Sequence, residues 1–154
     1  MTKLKSQIVK NLNVRNKQAS FEYYFLENYI AGICLKGTEI KSLRLGKVQL
    51  QDSHCFFKSG ELWVKNLSIS TYQFGNIHNH DPKADRKLLL NKRELRKLEK
   101  GLEENGVTII VTRIFITEKG LAKLEIALAK GKKLFDKRED IKKRDVERET
   151  NRRF

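Results

Sequence analysis

The stretch 107-VTIIVTRIFITEKGLAKLEIALA-129 decides the fold, because it consists of two apolar runs that are joined by the short segment EKG. In the second run, apolar residues occupy every second position, and Lys123 and Glu125 stand between them. This alternation is typical of a strand with one buried and one solvated face. We therefore predict a β-hairpin over these residues.

A second hairpin is predicted upstream, at 53-SHCFFKSGELWVKNLSI-69. Its two apolar runs meet at Ser59 and Gly60, and glycine can adopt the positive φ that a tight turn requires. His54 and Cys55 lie in a strand pattern, so we expect one of the two side chains to be buried and the other to be exposed. A catalytic dyad of these two residues is the less favoured interpretation.

The segment 21-FEYYFLENYIAGICL-35 is dense in aromatic and β-branched residues, which favours a long strand that bends near Gly32. Its odd-numbered aromatic residues share one face, which we interpret as core rather than as a platform for base stacking. These residues are Phe21, Tyr23, Phe25 and Tyr29. Tyr24 lies on the opposite face and is predicted to be an exposed contact.

Two helices are predicted between and after these strands. The first lies within 37-GTEIKSLRLGK-47, with Thr38 as its N-cap and Gly46 at its end. The second begins at Asn91, which stands in capping-box spacing with Glu94, and a leucine stripe that ends before Gly106 gives it one apolar face. The intervening segment 70-STYQFGNIHNHDPKADRK-87 has no clear period, so we predict a functional loop.

Together these elements comprise five or six strands at hairpin spacing, with helices at the margins. They predict a mainly β fold, namely a small antiparallel OB-like β-barrel with flanking helices and a basic C-terminal tail. The predicted divisions are a flexible N-terminus over residues 1–15, the barrel over residues 16–130 and the tail over residues 131–154. Barrels of this kind bind single-stranded or irregular RNA across a strand face.

The 154 residues carry a formal net charge of +14, to which both the body and the tail contribute. Lys and Arg that neutralise phosphates release condensed counterions, so this charge indicates a polyanion, above all nucleic acid. No apolar run approaches the roughly 20 residues that span a membrane, and the N-terminus lacks the apolar region of a signal peptide. A cytoplasmic protein without a membrane partner is expected, with Cys34 and Cys55 as buried free thiols.

No residue pattern in the chain indicates catalysis, so we expect a binding protein rather than an enzyme. The best metal candidates are His78, His80 and Asp81, because an H-x-H spacing beside a carboxylate can supply three ligands. However, the segment is predicted to be a loop, and no other His or Cys lies near it in sequence. We therefore predict neither a metal ion nor another cofactor.

The tail, 131-GKKLFDKREDIKKRDVERETNRRF-154, contains few apolar residues, yet its charges are ordered. Acidic residues precede basic ones at i, i+4 in three pairs, which is the favourable orientation on a helix. The pairs are Glu139 with Lys143, Asp140 with Arg144, and Glu149 with Arg153. Each pair contributes only about 0.2 to 0.5 kcal/mol, too little to hold an isolated helix. We expect the tail to be disordered when free and helical when a polyanion receives it.

Three blocks carry a resemblance to a known family: 16-NKQASFEYYFLENYIAGICLKGTEIKSLRLGK-47, 79-NHDPKADRKLLLNKREL-95 and 128-LAKGKKLFDKREDIKKRD-145. The chain resembles the SsrA-binding proteins, also called small protein B, the partners of transfer-messenger RNA in bacterial trans-translation. The resemblance implies an OB-like barrel that binds the tRNA-like domain of this RNA. It implies further that the RNA, charged by alanyl-tRNA synthetase and carried by elongation factor Tu, enters a stalled ribosome. The tail would then occupy the empty mRNA channel and the decoding centre of the small subunit.

The resemblance and the residue pattern together assign roles to individual positions. The expected RNA contacts in the barrel are Asn16, Lys17, Tyr24, Lys41, Arg44, Arg86, Lys87, Leu89 and Lys123. The tail residues expected to engage the ribosome are Gly131, Lys132, Lys133, Phe135, Asp136, Lys137 and Arg138. A monomer is expected. The alternative is a general single-stranded nucleic-acid-binding protein, for which the basic OB-like pattern alone would suffice.

The chain departs from the family pattern at a few positions. Ile30 replaces a common acidic residue, and Phe21 replaces a common histidine but keeps an aromatic face for stacking. Ala84 and Asp85 replace residues that are often basic or polar before the RKLLL block, and Phe135 stands where Tyr or His is frequent. We expect these departures to alter individual RNA contacts and not the function.

Overall fold

The computed structural model describes residues 12–153, so most of the predicted flexible N-terminus lies outside the described residues. The strands are β1 (Asn13–Arg15), β2 (Tyr23–Ile33), β3 (Val48–Gln49), β4 (His54–Lys58), β5 (Glu61–Lys65), β6 (Ser68–Ile69), β7 (Arg86–Leu89), β8 (Val107–Ile116) and β9 (Ala122–Gly131). The helices are α1 (Lys17–Glu22), α2 (Gly37–Arg44), α3 (Lys92–Gly101) and α4 (Leu134–Arg153), and a 3-10 turn spans Asn76–His78. β1 thus lies within residues 1–15, the range predicted to be the flexible N-terminus.

Six strands close into an antiparallel ring in the order β8, β4, β5, β7, β2 and β9, and β9 pairs again with β8. β4 pairs with the first half of β8, and β1 pairs with its second half. β3 and β6 form a separate two-stranded sheet. Both predicted hairpins are present, β4–β5 with positive φ at Ser59 and Gly60, and β8–β9 with positive φ at Gly120. The predicted mainly β fold with an antiparallel barrel and flanking helices is confirmed.

The long strand β2 differs from its prediction at its start. Phe21 belongs to α1, and the register of β2 against β9 shifts between Phe25 and Glu27. This bulge inserts one residue and inverts the alternation of the strand. As a result Phe25 is exposed, which contradicts its assignment to the core, whereas Tyr29 is buried and Tyr24 is exposed, as predicted.

The core fills the interior of the ring. Its fully buried side chains include Leu43 of α2, Leu98 of α3, and Leu62, Ile109 and Leu124 of the strands. The capping box that begins α3 forms as predicted, since Asn91 Oδ1 accepts from the Glu94 N–H at 2.8 Å and Glu94 accepts from the Asn91 N–H. The N-cap of α2 is Lys36, two residues before the predicted N-cap Thr38.

A smaller cluster lies outside the ring, where Ala19 of α1 packs on Ile110 and Ala129. It buries the second face of β9, so the predicted alternation of this strand ends near Ile126.

The two cysteine thiols differ in their burial. Cys55 is buried, which raises the pKa of its thiol, whereas Cys34 is exposed, contrary to the prediction.

The tail forms one helix, α4, which follows β9 after only Lys132 and Lys133. The predicted tail begins at Gly131, but this residue is the last of β9 and pairs with Tyr23. Disorder of the tail in the free protein stays a prediction. Across residues 12–153, no helix is both long and apolar enough to cross a membrane.

Candidate nucleic-acid interface

Three residues on neighbouring strands form the centre of the candidate interface. Gly32 of β2 pairs with Lys123 of β9 on one side and with Leu89 of β7 on the other. Residues in register on adjacent strands share one face of a sheet. A Cβ on Gly32 would lie 3.3 Å from the Leu89 Cβ, so the glycine lets Leu89 pack across the β2 backbone while 53% of it stays exposed. The result is an apolar side chain in the same row as a cation.

A second row runs parallel to the first on the same face of the barrel. Ile30, also 53% exposed, pairs with Glu125, which pairs with Arg113, and Arg113 pairs with the exposed Arg15 of β1. Arg113 forms a salt bridge with Glu125 and lies 4.4 Å from the centroid of the Phe115 ring. Glu125 therefore offsets one of the two arginine charges in this row, and the row remains basic at its β1 end.

We refer to the surface of these two rows as the outer face, formed by Arg15, Ile30, Leu89, Arg113, Phe115 and Lys123. Leu89 and Lys123 were predicted from the sequence, whereas Arg15, Arg113 and Phe115 were not. The period-two pattern of β8 contained the missing signal, because residues 113 and 115 alternate with the core residue Ile114 and so share the face of Lys123.

An open cleft of about 590 Å³ adjoins the outer face between α1 and β8. Asn16 and Lys17 line it together with Arg15, Arg113 and Phe25. The Asn16 side chain caps α1 by accepting from the Ala19 N–H at 3.2 Å, and donates to the carbonyl of Val111 at 2.9 Å. Asn16 therefore fixes the wall of the cleft, whereas the exposed Lys17 lies on its rim.

Arg86 is buried, with 3% of its surface exposed, which contradicts its assignment as an RNA contact. Its Nε donates to the carboxylate of Glu39, and its Nη atoms donate to the carbonyls of Leu67 at 2.6 Å, Pro82 at 3.1 Å and Asp81 at 3.3 Å. The alternation of β7 directs residues 86 and 88 inward and residues 87 and 89 outward. Arg86 thus joins β7 to α2 and to two loops, and it is a structural residue.

The other predicted cations are accessible but lie apart. Lys87 is half-exposed and donates to Glu61 at 2.9 Å. Lys41 and Arg44 lie on the exposed side of α2, outside the outer face, and the Lys41 Nζ is 5.5 Å from the centroid of the Tyr72 ring. The predicted contacts therefore belong to at least two surfaces.

The tail helix is attached to the body near Tyr24. Lys132 donates to the carboxylate of Asp140 and to the carbonyl of Ser20 at 3.2 Å, and its Nζ lies 4.9 Å from the centroid of the Tyr24 ring. The hydrogen bond from Lys132 lowers the pKa of Asp140. Desolvation, with a further contribution from Asp136, raises the pKa of Tyr24. Tyr24 is consequently in contact with the tail in this structure.

The remaining tail residues present a mixed surface. The predicted i, i+4 partners are replaced, because Asp140 pairs with Lys132, Glu139 lies 3.9 Å from Lys142, and Arg144 lies over the Phe21 ring at 5.4 Å. The side chain of Arg153 in the third predicted pair lies outside the described residues. The predicted ribosome-engaging residues that are exposed are Gly131, Lys133, Phe135 and Arg138, and those that are partly buried are Lys132, Asp136 and Lys137.

The candidate metal ligand His80 has a structural role. It is buried, its Nδ1 lies 2.8 Å from Thr38 Oγ1, and its Nε2 lies 2.9 Å from the carbonyl of Ile69. Both ring nitrogens therefore join α2 to β6. No group of three metal-ligating side chains occurs among residues 12–153.

The closed barrel, its basic and partly apolar outer face and the net charge of +14 define a basic β-barrel of the class that binds nucleic acid. The model of the family described as SmpB protein matches residues 13–154, and the chain belongs to this family. The SsrA-binding proteins of Cytophaga hutchinsonii and Phocaeicola vulgatus are 58% and 57% identical to it over 146 and 143 residues, which cover 95% and 93% of the chain and 95% of each relative. A solved structure described as "tmRNA-SmpB: a journey to the center of the bacterial ribosome" matches with a TM-score of 0.68 and 47% identity, over 79% of this chain and 85% of that one.

Proposed function

We propose that this protein is a non-catalytic, cofactor-free adaptor of trans-translation that binds the tRNA-like domain of transfer-messenger RNA and delivers it to stalled ribosomes in the cytoplasm. The observation that carries the proposal is the row of Leu89, Gly32 and Lys123 on the outer face. Support comes from the relatives, which are named for binding SsrA, and from the solved neighbour, whose description places transfer-messenger RNA and SmpB in the ribosome.

The outer face suits a folded RNA with unpaired bases. Irregular RNA is recognised where unstacked bases meet apolar or aromatic side chains, while Lys and Arg neutralise the neighbouring phosphates. Leu89 and Ile30 supply exposed apolar surface, and Lys123 and Arg15 supply charge at the other end of the same two rows. In this proposal the apolar end packs against bases or riboses, and the basic end holds the backbone.

The tail has a separate role in this proposal, which is to occupy the empty mRNA channel and the decoding centre. Its attachment through Lys132 and Asp140 leaves Lys133, Phe135 and Arg138 exposed, so the charges and the ring are presented to a partner. Contact with elongation factor Tu and with alanyl-tRNA synthetase is made through the RNA, and the protein acts as a monomer.

The alternative, a general single-stranded nucleic-acid-binding protein, is distinguished by titration at matched salt. The probes are full transfer-messenger RNA, its isolated tRNA-like domain, an ordinary tRNA and an unstructured RNA. We expect the first two to bind more tightly than the other two. Equal affinity for all four would contradict the proposal, because counterion release alone does not discriminate among RNAs.

The substitution Leu89→Ala tests whether the outer face makes the contact. Complete burial of a leucine side chain contributes about 1.5–3 kcal/mol, so truncating the exposed part of Leu89 that would pack on the RNA should lower the affinity for the tRNA-like domain about ten-fold. The matched control is Leu121→Ala, which truncates an equally exposed leucine in the β8–β9 turn, outside the outer face. An equal effect of both substitutions would assign the RNA to another surface.

A further inference from the structure

One face of the tail helix carries three residues at helical spacing. Asp136, Asp140 and Arg144 follow one another at intervals of four residues, so their side chains form one row along α4. The two acidic residues of this row are partly buried, whereas every residue from Ile141 to Arg152 is exposed. The support that the body gives to the helix therefore ends near Arg144. We refer to Asp136, Asp140 and Arg144 as the tail stripe.

The far end of the tail stripe contacts the body where α1 ends and β2 begins. The guanidinium carbon of Arg144 lies 5.4 Å from the centroid of the Phe21 ring. In the middle of the stripe, Asp140 accepts from Lys132, which also donates to the Ser20 carbonyl at 3.2 Å. Ser20 and Phe21 belong to α1, so both contacts join the tail to this helix. We refer to Ser20, Phe21 and Tyr24 as the corner.

The near end of the tail stripe lies beside the aromatic residue of the corner that belongs to β2. The Lys132 Nζ lies 4.9 Å from the centroid of the Tyr24 ring. Desolvation, followed by the charge of Asp136, raises the pKa of Tyr24, so this carboxylate is a neighbour of the phenol. The corner thus meets the tail stripe at three successive turns of α4.

The spacing of these contacts determines the direction of the helix. From Asp136 to Arg144 the tail stripe spans about 12 Å of the helix axis, at about 1.5 Å per residue. A helix held at one point pivots about it, whereas a helix held at both ends of such a segment has a fixed direction. The remainder, to Arg153, continues for about 14 Å beyond Arg144. An angular error at the corner is therefore carried to the end of the tail.

We propose that the corner is the docking surface of the tail helix, and that Phe21 and Tyr24 are positioning residues that aim the exposed part of α4. The inference rests on the proposed function for the destination of the tail, which is the mRNA channel. Contacts of a cation with an exposed ring are individually weak, so the sum of these contacts directs the tail without locking it. The two rings act through Arg144 and Lys132, and the tail enters the channel along a direction that the barrel sets.

The first measurement determines the direction of the helix in the full-length protein saturated with the tRNA-like domain. Spin labels are attached at Glu103→Cys on the body and at Thr150→Cys near the end of α4, in a Cys34→Ser background that removes the exposed native thiol. We expect one narrow distance distribution, which Arg144→Gln should broaden. Arg148→Gln removes the same charge one turn beyond the tail stripe and should leave the distribution narrow.

The second measurement is the rate of peptide tagging on a message without a stop codon, at saturating transfer-messenger RNA so that RNA affinity does not limit the rate. Arg144→Gln should lower the rate about three-fold, the size expected for an exposed cation–π contact, and leave the affinity for the tRNA-like domain unchanged. Phe21→Leu should lower the rate equally, and the double variant no further, because both changes remove the same contact. Phe21→Tyr keeps the ring and should tag at the wild-type rate, as should Arg148→Gln.

Tyr24 is tested by a pair of variants. Tyr24→Leu removes the ring that Lys132 contacts and should broaden the distance distribution and slow tagging, whereas Tyr24→Phe keeps the ring and should do neither. The urea midpoint of the barrel should stay the same in all variants. A residue that only stabilised the fold would instead shift this midpoint, and the loss of tagging would follow the loss of stability.

The possible failures are distinct. If the tRNA-like domain does not bind tightly to the wild-type protein, the proposed function fails. If that domain binds, but Arg144→Gln and Phe21→Leu keep the narrow distribution and the wild-type tagging rate, the positioning role is refuted. Equal losses in Arg144→Gln and Arg148→Gln would also refute it, because the charge of the tail and not its direction would then limit tagging.

Discussion

The barrel and the tail each depend on one nearly buried cation, and the two cations differ in what they hold together. Arg86 is enclosed by Glu39 and by three backbone carbonyls, and all of these partners belong to the body. Lys132, with 9% of its side chain exposed, binds Ser20 of the body but also Asp140, a residue of the helix that it holds, which is 30% exposed. Loss of the first cation leaves an uncompensated buried charge, whereas loss of the second leaves a carboxylate that water can reach. We therefore predict that the tail detaches from the body under conditions in which the barrel stays folded.

The largest expected effect follows from removing the tail. A chain that ends after Lys133 keeps all of β9 and the hydrogen bond from the Lys132 N–H to the Glu22 carbonyl. We expect it to bind the tRNA-like domain as tightly as the full chain but to abolish peptide tagging on stalled ribosomes. Tagging is measured in a reconstituted translation reaction on a message without a stop codon, and tagging at the normal rate would show that the tail is dispensable.

The next effect concerns the stability of the barrel. Removing one partner of a buried ion pair typically costs about 3–5 kcal/mol, so Arg86→Met should lower the free energy of unfolding by this amount. The matched control is Lys87→Met, which breaks the exposed pair with Glu61 and should cost about 0–1 kcal/mol. Urea denaturation measures both. Similar losses in the two variants would mean that Arg86 does not hold the barrel together.

A smaller and local effect is expected at the start of the tail. Lys132→Gln removes the charge that binds Asp140 and lies over Tyr24, and an isolated helix of this length is marginal in water. Amide hydrogen exchange should therefore become faster throughout α4, while the urea midpoint of the barrel stays unchanged. Lys133→Gln, at the exposed neighbouring position, should leave the exchange unaltered. Unchanged protection of α4 in Lys132→Gln would locate the attachment elsewhere.

The smallest expected effect is a dependence of tail attachment on pH. The Lys132 hydrogen bond lowers the pKa of Asp140 in the folded state below its unfolded value of about 3.9. The stabilising contribution is therefore complete above the unfolded pKa and is lost as the pH falls through the lowered folded pKa. The distribution of distances between a spin label on α4 and one on the barrel should broaden as the pH falls through this acidic range. Asp140→Asn removes the titrating group. The distance distribution of this variant should therefore be broader already at neutral pH and should not broaden further as the pH falls.

The presence of a hairpin and of a capped helix could be predicted from the sequence, whereas the places where the alternation of a strand is interrupted could not. The presence of the β8–β9 hairpin and of the capping box of α3 follows from local patterns, although the alternation of β9 ends near Ile126 and the register of β8 against β9 shifts between Val111 and Arg113. The bulge after Phe25 has no residue signature, because it depends on how β2 and β9 fit around the ring, and it reversed the expected burial of Phe25.

In the candidate interface, too, some residues could be predicted from the sequence and others could not. Leu89 and Lys123 were identified by resemblance, and the strand register then placed them in one row with Gly32. Arg86 stands in the same RKLLL block as Leu89, and the composition of that block does not distinguish an inward arginine from an outward one. Its carboxylate partner, Glu39, is 47 residues away in the chain, so no local pattern could reveal the buried ion pair.

The short connection between β9 and α4 determines how far and in which direction the tail helix extends from the barrel. Because two residues separate the last strand from a helix of 20 residues, the direction of the helix is tied to the orientation of the barrel. At 1.5 Å per residue the helix extends about 30 Å from the end of β9. A partner that binds the barrel would therefore also fix the position of the far end of α4. Such a partner could accept the helix only if it has a free space of that depth.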